Sequence, residues 1–267
     1  MHFLTTGGYN TAVGQESMLN NTTGERNTVV GYHAGSHFRN YYSTAVGMLA
    51  GQTASGSHNT FVGNEAGLGG DSGDSRGEYN TVVGSEALKA FTTSGYNVAI
   101  GYQAGAAVTT GGNNTLIGNA AGDKITTADY NTAIGSGALG SQAADADGNI
   151  AIGDFAMGSV NNAASIENVV VGGYAGTGGT GQLIRTVAIG KNALNSTGTA
   201  SVTGVIAIGY NAGTAINHAN ANGTVAIGYE ASQALTSGAN QVSIGYQAGK
   251  ALTTAANSTF IGYQAGL

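Results

Sequence analysis

The sequence contains no cysteine, no proline and no tryptophan, and only 8% of its residues are charged. Without cysteine the chain has no disulfide framework, no thiolate metal ligand and no thiol nucleophile. Its 8 Lys and Arg residues are scattered, and 14 Asp and Glu give a formal net charge of −6. Because a nucleic-acid-binding domain needs a clustered basic surface, nucleic acid is not expected as a partner.

Long hydrophobic runs are missing as well. No apolar stretch reaches the roughly 18 residues that a membrane-spanning helix needs, so no membrane insertion is expected. The first residues show neither the basic start nor the apolar run of a signal peptide. Glycine does not recur at every third position, which excludes a collagen helix.

What the sequence has in abundance is glycine, at 47 of 267 positions, and a short repeated phrase. The phrase Asn-Thr-Ala-Val-Gly at residues 10–14 recurs with small changes along the whole chain. Its last residue is an anchor glycine, which occurs fifteen times at spacings of 16–21 residues. This self-similarity predicts a single repeat domain over residues 1–267. The anchor glycines are Gly14, Gly31, Gly47, Gly63, Gly84, Gly101, Gly118, Gly135, Gly153, Gly172, Gly190, Gly209, Gly228, Gly245 and Gly262.

Each copy of the phrase has the pattern of a short β-strand followed by a turn. The residue before the anchor glycine is always Val or Ile, and the residue two positions earlier is Thr in eight copies and Val or Ile in seven. β-Branched residues at alternate positions are typical of a strand with one buried face. The glycine predicts a turn or a close approach of two backbones, where a Cβ would clash. The third residue after it is alanine in every copy but one, which fits a narrow interior.

Short strands and turns at a fixed period indicate an all-β, parallel β-solenoid of about fifteen coils. Steps such as Thr-Thr-Gly, Ser-Gly and Asn-Asn between the copies favour turns, and Gly, Thr and Asn are poor helix formers. One coil must order about 17 residues at roughly 1.5 kcal/mol each, more than its few apolar side chains return. We therefore expect stabilisation from stacked coils and from partner chains.

The segments Asn97–Gly105 and Gln241–Gly249 resemble the head repeats of YadA-type trimeric autotransporter adhesins. The longer form of the repeat, at residues 20–24 and 27–32, is similar to tail-fibre proteins of bacteriophages, and the resemblance covers nearly the whole chain. It implies a left-handed parallel β-roll in which three chains form an intertwined or side-by-side homotrimer.

The resemblance also assigns roles to the strand residues. It implies that the Val or Ile before each anchor glycine fills the interior, together with the β-branched residue two positions earlier. The residue between them, usually alanine, would then point outward, with Phe61, Leu116 and Phe260 marking local widening. The core residues implied before the glycines are Val13, Val30, Val46, Val62, Val83, Ile100, Ile117, Ile134, Ile152, Val171, Ile189, Ile208, Ile227, Ile244 and Ile261.

A column of tyrosines follows the anchor glycine in six copies. An aromatic face suits a receptor glycan, and an aromatic ladder that stabilises neighbouring coils is the alternative interpretation. These residues are Tyr32, Tyr102, Tyr210, Tyr229, Tyr246 and Tyr263.

Three segments have residue types found in cation sites, although neither a metal nor a cofactor is expected. The segment Asp145–Asn149 has oxygen ligands at alternate positions but lacks the distal Glu of a calcium loop, and a solvated turn is the alternative. The segment Asp71–Glu78 lies in the longest spacing and is expected to protrude as a loop. His33 and His37 have a metal-binding spacing only on a helix, so a surface or turn role is expected.

No catalytic constellation is recognisable, and no enzymatic activity is expected. Ser, His and Asp residues do not group around a Gly-x-Ser-x-Gly elbow. The pairs Gly111–Gly112 and Gly178–Gly179 fit turns rather than phosphate loops. A glycosidase needs two carboxylates on one face, and isolated surface glutamates are the simpler interpretation of the four in one column: Glu16, Glu65, Glu86 and Glu230.

The sequence thus predicts a structural fibre segment of a phage tail fibre or similar virion appendage that supports host attachment. Expected partners are further copies of itself, other fibre or virion proteins, and a glycan or protein of a host surface. One alternative is the head of a bacterial trimeric adhesin at the cell surface. Another is an ice-binding β-solenoid with a threonine column, although the column is expected to face inward and is interrupted between Ile150 and Val242: Thr11, Thr28, Thr44, Thr60 and Thr81.

Overall fold

The computed structural model describes residues 6–70, 74–141, 146–159, 165–179 and 181–267. In it the chain is an all-β, parallel β-solenoid of about 14 turns, which confirms the predicted fold class. Within the described ranges the only helix is a 3₁₀ turn, Ala219–Ala221. The chain divides into two compact units, Met1–Tyr130 and Asn131–Leu267.

The first unit contains one parallel sheet whose seven strands are neighbours in chain order. Each strand is three residues long and ends directly before an anchor glycine, at the position that the repeat predicts. The strands are β1 (Thr11–Val13), β2 (Thr28–Val30), β3 (Thr44–Val46), β4 (Thr60–Val62), β5 (Thr81–Val83), β6 (Val98–Ile100) and β7 (Thr115–Ile117).

The second unit repeats this arrangement with eight strands and adds a two-stranded parallel sheet of β11 and β13. The added sheet lies on a second wall of two coils. In the other described coils this wall contains no strand. The strands are β8 (Thr132–Ile134), β9 (Ile150–Ile152), β10 (Val169–Val171), β11 (Leu183–Ile184), β12 (Val187–Ile189), β13 (Val202–Thr203), β14 (Ile206–Ile208), β15 (Val225–Ile227), β16 (Val242–Ile244) and β17 (Thr259–Ile261).

The register places equivalent residues of successive coils directly beside each other. For example, Thr81 pairs with Val98 and Val83 pairs with Ile100. Since spacings of different length keep this register, the extra residues of the longer coils are accommodated outside the strands. Each position of the strands therefore becomes a column of side chains within each unit.

The orientation of the strand residues is the reverse of the one implied by the resemblance. The middle residue of each strand faces the interior; Val82, Ala99 and Leu116 are fully buried. The residue before the glycine faces outward, with Ile100 37% and Val13 57% exposed. All fifteen implied core residues are half-buried or exposed: Val13, Val30, Val46, Val62, Val83, Ile100, Ile117, Ile134, Ile152, Val171, Ile189, Ile208, Ile227, Ile244 and Ile261.

The interior also holds large residues from outside the strands. Leu88 and Phe91 are both fully buried, and the ring centroids of Phe91 and Phe61 are 5.5 Å apart. The third residue after the anchor glycine also points inward, and Ala104 is an example with no exposed surface. Bulky Phe61 fits without widening, because Gly51 and Gly67 lack the Cβ atoms that would meet its ring.

A ladder of buried asparagines runs through the interior beside the strands. The backbone N–H of Asn97 donates to Oδ1 of Asn80 at 3.0 Å, and the backbone N–H of Asn114 donates to Oδ1 of Asn97 at 3.0 Å. In the second unit, Asn149 and Asn168 make the same contact at 3.2 Å. Each amide thus connects two coils and satisfies a backbone donor that the interior shields from water.

Candidate functional site

The outer face of the sheet in each unit carries only Thr, Val and Ile. Two columns form it, the first and the last residue of every strand, because alternate residues of a strand share a face. In the first unit the first residue of every strand is Thr, except for Val98, and the last residue is Val or Ile. In the second unit both positions are mostly Val or Ile. None of these positions is charged, and all are half-buried or exposed.

Such a surface is unusual for a protein chain in water. Soluble proteins expose single apolar residues, but contiguous apolar patches mark sites of association. Parallel sheets are normally covered on both faces, and a solvated sheet face usually carries polar residues. The uncharged Thr/Val/Ile face is therefore the strongest candidate for an interaction surface.

One border of this face is the column of residues that directly precede the asparagine ladder in the sequence. These residues have a left-handed backbone conformation. In the first unit the column contains a continuous stack of rings, which the sequence analysis did not detect. Tyr42 stacks on His58 at 5.2 Å between ring centroids, His58 on Tyr79 at 4.8 Å, and Tyr79 on Tyr96 at 5.0 Å. Arg26 extends the column, because its Nη1 donates to the Tyr42 hydroxyl at 2.6 Å. The signal was present in the sequence, since these residues all lie one position before the ladder residue.

The other border is the predicted tyrosine column after the anchor glycines. In the second unit Tyr210, Tyr229, Tyr246 and Tyr263 stack successively, with ring centroids 5.2–5.3 Å apart. This is the ladder interpretation, and it covers the ring faces that a sugar would need. In the first unit Tyr32 meets His33 edge to face at 4.3 Å instead.

A groove of about 430 Å³ lies beside the end of the first ring stack. Tyr96 and the acidic residues Glu78 and Asp129 line it, together with Arg76. Asp129 is fixed by the backbone, since Gly112 N–H donates to its Oδ1 at 2.6 Å. Arg76 donates twice to Asp74, at 2.9 and 2.7 Å. The groove therefore combines one aromatic face with polar groups that neighbouring contacts hold in place.

Among the residues that the structure describes, the candidate cation ligands are not brought together. Asn149 belongs to the buried ladder, where its Nδ2 donates to the carbonyl of Ser165 at 2.8 Å, and Asp145 lies outside the described residues. His33 pairs with Glu16 at 2.7 Å, whereas His37 contacts the carbonyl of Gln52 at 3.3 Å. Within the described ranges, no group of three or more His, Cys, Asp or Glu could hold a metal ion.

The described residues of the longest spacing and of the glycine pairs make contacts within the solenoid. Residues 71–73 lie outside the described chain, and Asp74 accepts hydrogen bonds from Ser55 and Arg76, which lower the pKa of its carboxyl. At Gly111 and Gly178 the backbone of the next coil lies where a side chain would begin. These glycines permit close stacking of coils, as turn positions should.

Three of the four column glutamates pair with lysines, and the fourth, Glu16, pairs with His33. Lys89 Nζ lies 2.6 Å from Glu65 and 3.9 Å from Glu86. Lys250 Nζ lies 2.7 Å from Glu230, and this hydrogen bond, followed by one from Gln247, lowers the pKa of the Glu230 carboxyl. The lowered pKa suits an ion pair rather than a general acid, which requires a raised one.

Comparison with known proteins does not assign the chain to a family. No family model, no curated protein and no solved structure matches it. Among the described residues, none of the helical structure has the length and hydrophobicity to span a bilayer. The sheet face and its borders are therefore the features that indicate a function.

Proposed function

We propose that the chain is a structural fibre segment of a phage tail fibre or similar virion appendage that supports host attachment. Three copies pack their outer sheet faces around one axis, each coil forming a left-handed β-roll. The observation that carries the proposal is the uncharged Thr/Val/Ile face, which association would remove from water. The sequence resemblance to tail-fibre and adhesin-head repeats supports both the number of copies and the role.

A second copy of the same chain is the best occupant of this face. Its columns repeat at the strand spacing of about 4.8 Å, so only a surface with the same repeat can remain in contact along its length. The absence of charge means that two such faces meet without burying an unpaired ion. Outward β-branched residues such as Ile100 and Ile227 would interdigitate between chains.

The mass of the protein in solution tests this assembly. Light scattering after size exclusion should give three times 26.3 kDa, about 79 kDa. Ile100→Glu and Ile227→Glu, one in each unit, should shift the mass towards 26.3 kDa, because a buried unpaired carboxylate is costly. Thr127→Glu, at an exposed position outside the sheet face, is the matched control. A wild-type mass of 26.3 kDa would overturn the trimer.

A bacterial adhesin head would give the same mass. Labelling of purified virions and of bacterial cell surfaces with antibodies against the chain separates the two roles. Labelling of virions supports the proposal, and labelling of the cell surface alone supports the adhesin.

One observation favours ice binding as a second candidate. The threonine column faces outward rather than inward, as Thr81 and Thr28 show, so it reaches solvent in a monomer. A monomeric protein that produces thermal hysteresis in freezing assays would support this function. A trimer without hysteresis would exclude it.

A further inference from the structure

The ring stack of the first unit is interrupted at one coil. Asn113 occupies the position that Tyr96 holds one coil earlier and Tyr130 one coil later. The backbone hydrogen bonds Asn113 N–H to Gly95 O, at 3.0 Å, and Tyr130 N–H to Gly112 O, at 3.1 Å, establish this succession. At about 4.8 Å per coil, the two rings are roughly 10 Å apart, which leaves a notch between them.

The exposed fractions of the tyrosines in this column agree with the interruption. Tyr79, which has a ring on both sides, is 46% exposed, whereas Tyr96 is 62% and Tyr130 is 67% exposed. One face of the Tyr96 ring stacks on Tyr79. The next residue of the column, Asn113, has no ring to cover the other face. Asn113 is exposed and its backbone φ is 58°, almost the same as the 59° of Tyr96 and Tyr130.

The groove described above opens at this notch. Its floor includes the buried Gly112, and its sides carry Arg76, Glu78 and Asp129. The terminal groups of these three side chains are planar and polar. Arg76 and Glu78 belong to the coil before Tyr96, and Asp129 belongs to the coil after Asn113. An apolar ring face with hydrogen-bonding groups along the same groove suits a ligand with one apolar face and many hydroxyl groups.

We propose that the groove binds a neutral saccharide, with one pyranose ring packed against the open face of Tyr96. The axial C–H groups of the sugar contact the aromatic ring. Its hydroxyls donate to the carboxylates of Glu78 and Asp129 and accept from the guanidinium of Arg76. The rings of Tyr96 and Tyr130 are roughly 10 Å apart. A sugar ring midway between them lies about 4–5 Å from each aromatic ring, close to van der Waals separation.

The charges of the groove select a neutral ligand. The groove carries two carboxylates and one guanidinium, which already pairs with Asp74, so a sulfated or carboxylated saccharide would be repelled. A cation would meet Arg76, and cation recognition favours several aromatic faces, whereas the groove presents one. This inference goes beyond the proposed fibre function and does not rest on self-association.

Saturation-transfer NMR and calorimetry on the full chain, in the assembly it forms in solution, test the proposal. The neutral probes are maltohexaose, cellohexaose, mannohexaose and chitohexaose. Hexagalacturonate and the deacetylated chitosan hexamer represent the anionic and cationic classes. We expect at least one neutral probe to bind, with stronger saturation of its ring C–H protons than of its remaining protons.

Two substitutions test the location. Tyr96→Ala should weaken binding about tenfold, the size expected for an aromatic contact. Asn113→Tyr should abolish binding by filling the notch with a ring, while the unfolding temperature stays the same or rises. Because the second variant completes a stack rather than removing one, its loss of binding is not a loss of folding.

The matched control is Tyr263→Ala. Tyr263 also ends a ring stack and is 74% exposed, but it lies in the second unit and does not line this groove. Its variant should bind as the wild type does. The proposal is overturned if no neutral probe binds, if only a charged probe binds, or if Asn113→Tyr binds as tightly as the wild type. A measured mass of the same samples keeps this outcome separate from that of the trimer.

Discussion

Phe61 on strand β4 and Gly67 in the following turn occupy one space inside the solenoid. A Cβ placed on Gly67 would overlap the aromatic ring of Phe61, which is fully buried. Leu116 and Gly122 stand in the same relationship six residues apart, and a Cβ on Gly122 would lie 2.8 Å from the Leu116 side chain. Large inward residues on the sheet are thus accommodated by glycine on the adjoining wall.

Substitution of Gly67 by alanine should therefore destabilise the protein by roughly 2–4 kcal/mol, from overpacking together with a left-handed backbone at alanine. Phe61→Ala alone should cost roughly 3–5 kcal/mol, because it leaves a cavity. The double variant should cost less than the sum, since the new methyl group enters that cavity. Denaturant unfolding measures the cycle.

The control for this cycle is Gly148→Ala. Gly148 has a φ of 68°, and the nearest atom to an added Cβ is 3.8 Å away, so the variant reports backbone strain without a clash. If Gly67→Ala and Gly148→Ala cost the same, the steric relationship with Phe61 is refuted.

Removal of one rung of the asparagine ladder should also be costly. Asn80→Ala deprives the buried N–H of Asn97 of its acceptor and should destabilise by about 2–3 kcal/mol. The amide hydrogen of Asn97 should exchange faster with deuterium. Asn119→Ala, at an exposed position with no hydrogen bond among the described side chains, should change stability by about 0.5 kcal/mol or less. Equal effects of the two variants would contradict the ladder's role.

An anchor glycine that is covered by a following coil should tolerate no side chain, whereas a neighbouring glycine should. Gly172 has a φ of 136°, and its Cβ would lie 2.6 Å from the carbonyl oxygen of Gly190 in the next coil. Gly173 has one atom within 4 Å, at 3.9 Å, and no positive φ. Gly172→Ala should therefore lower the unfolding temperature by several degrees, and Gly173→Ala should leave it nearly unchanged. The opposite ranking in a thermal melt would be incompatible with this packing.

The ion pair of Glu230 and Lys250 should appear in the titration of the protein. The hydrogen bond from Lys250 lowers the pKa of Glu230 relative to the unfolded chain. Its contribution to stability is present above the unfolded pKa of about 4.3 and is lost as pH falls through the lower folded pKa. Carboxyl NMR of Glu230 should show the lowered pKa, and Lys250→Met should raise it towards the unfolded value. No change in that variant would assign the lowered pKa to Gln247 instead.

The repeat was sufficient to predict the fold class and the strand positions. Periodicity shows which residues share a face, but not which face is inside, and the large Val and Ile were placed inward by the resemblance. The threonine column carried the opposite signal, since a hydroxyl such as that of Thr81 would be costly in the interior without a hydrogen-bond partner. The groove at Tyr96 was not predictable, because it depends on residues 76–129, which only the stacking of four coils brings together.

The constant register of the strands has a consequence for how the protein folds. Thr28 pairs with Thr44 and Thr60 pairs with Thr81, so the contacts of the sheet span 16 to 21 residues. This separation does not increase with the length of the chain, and the entropy of closing each loop stays constant. A growing polypeptide can therefore add one coil at a time onto the last completed one, and its assembly rate is set by the coil rather than by the number of residues.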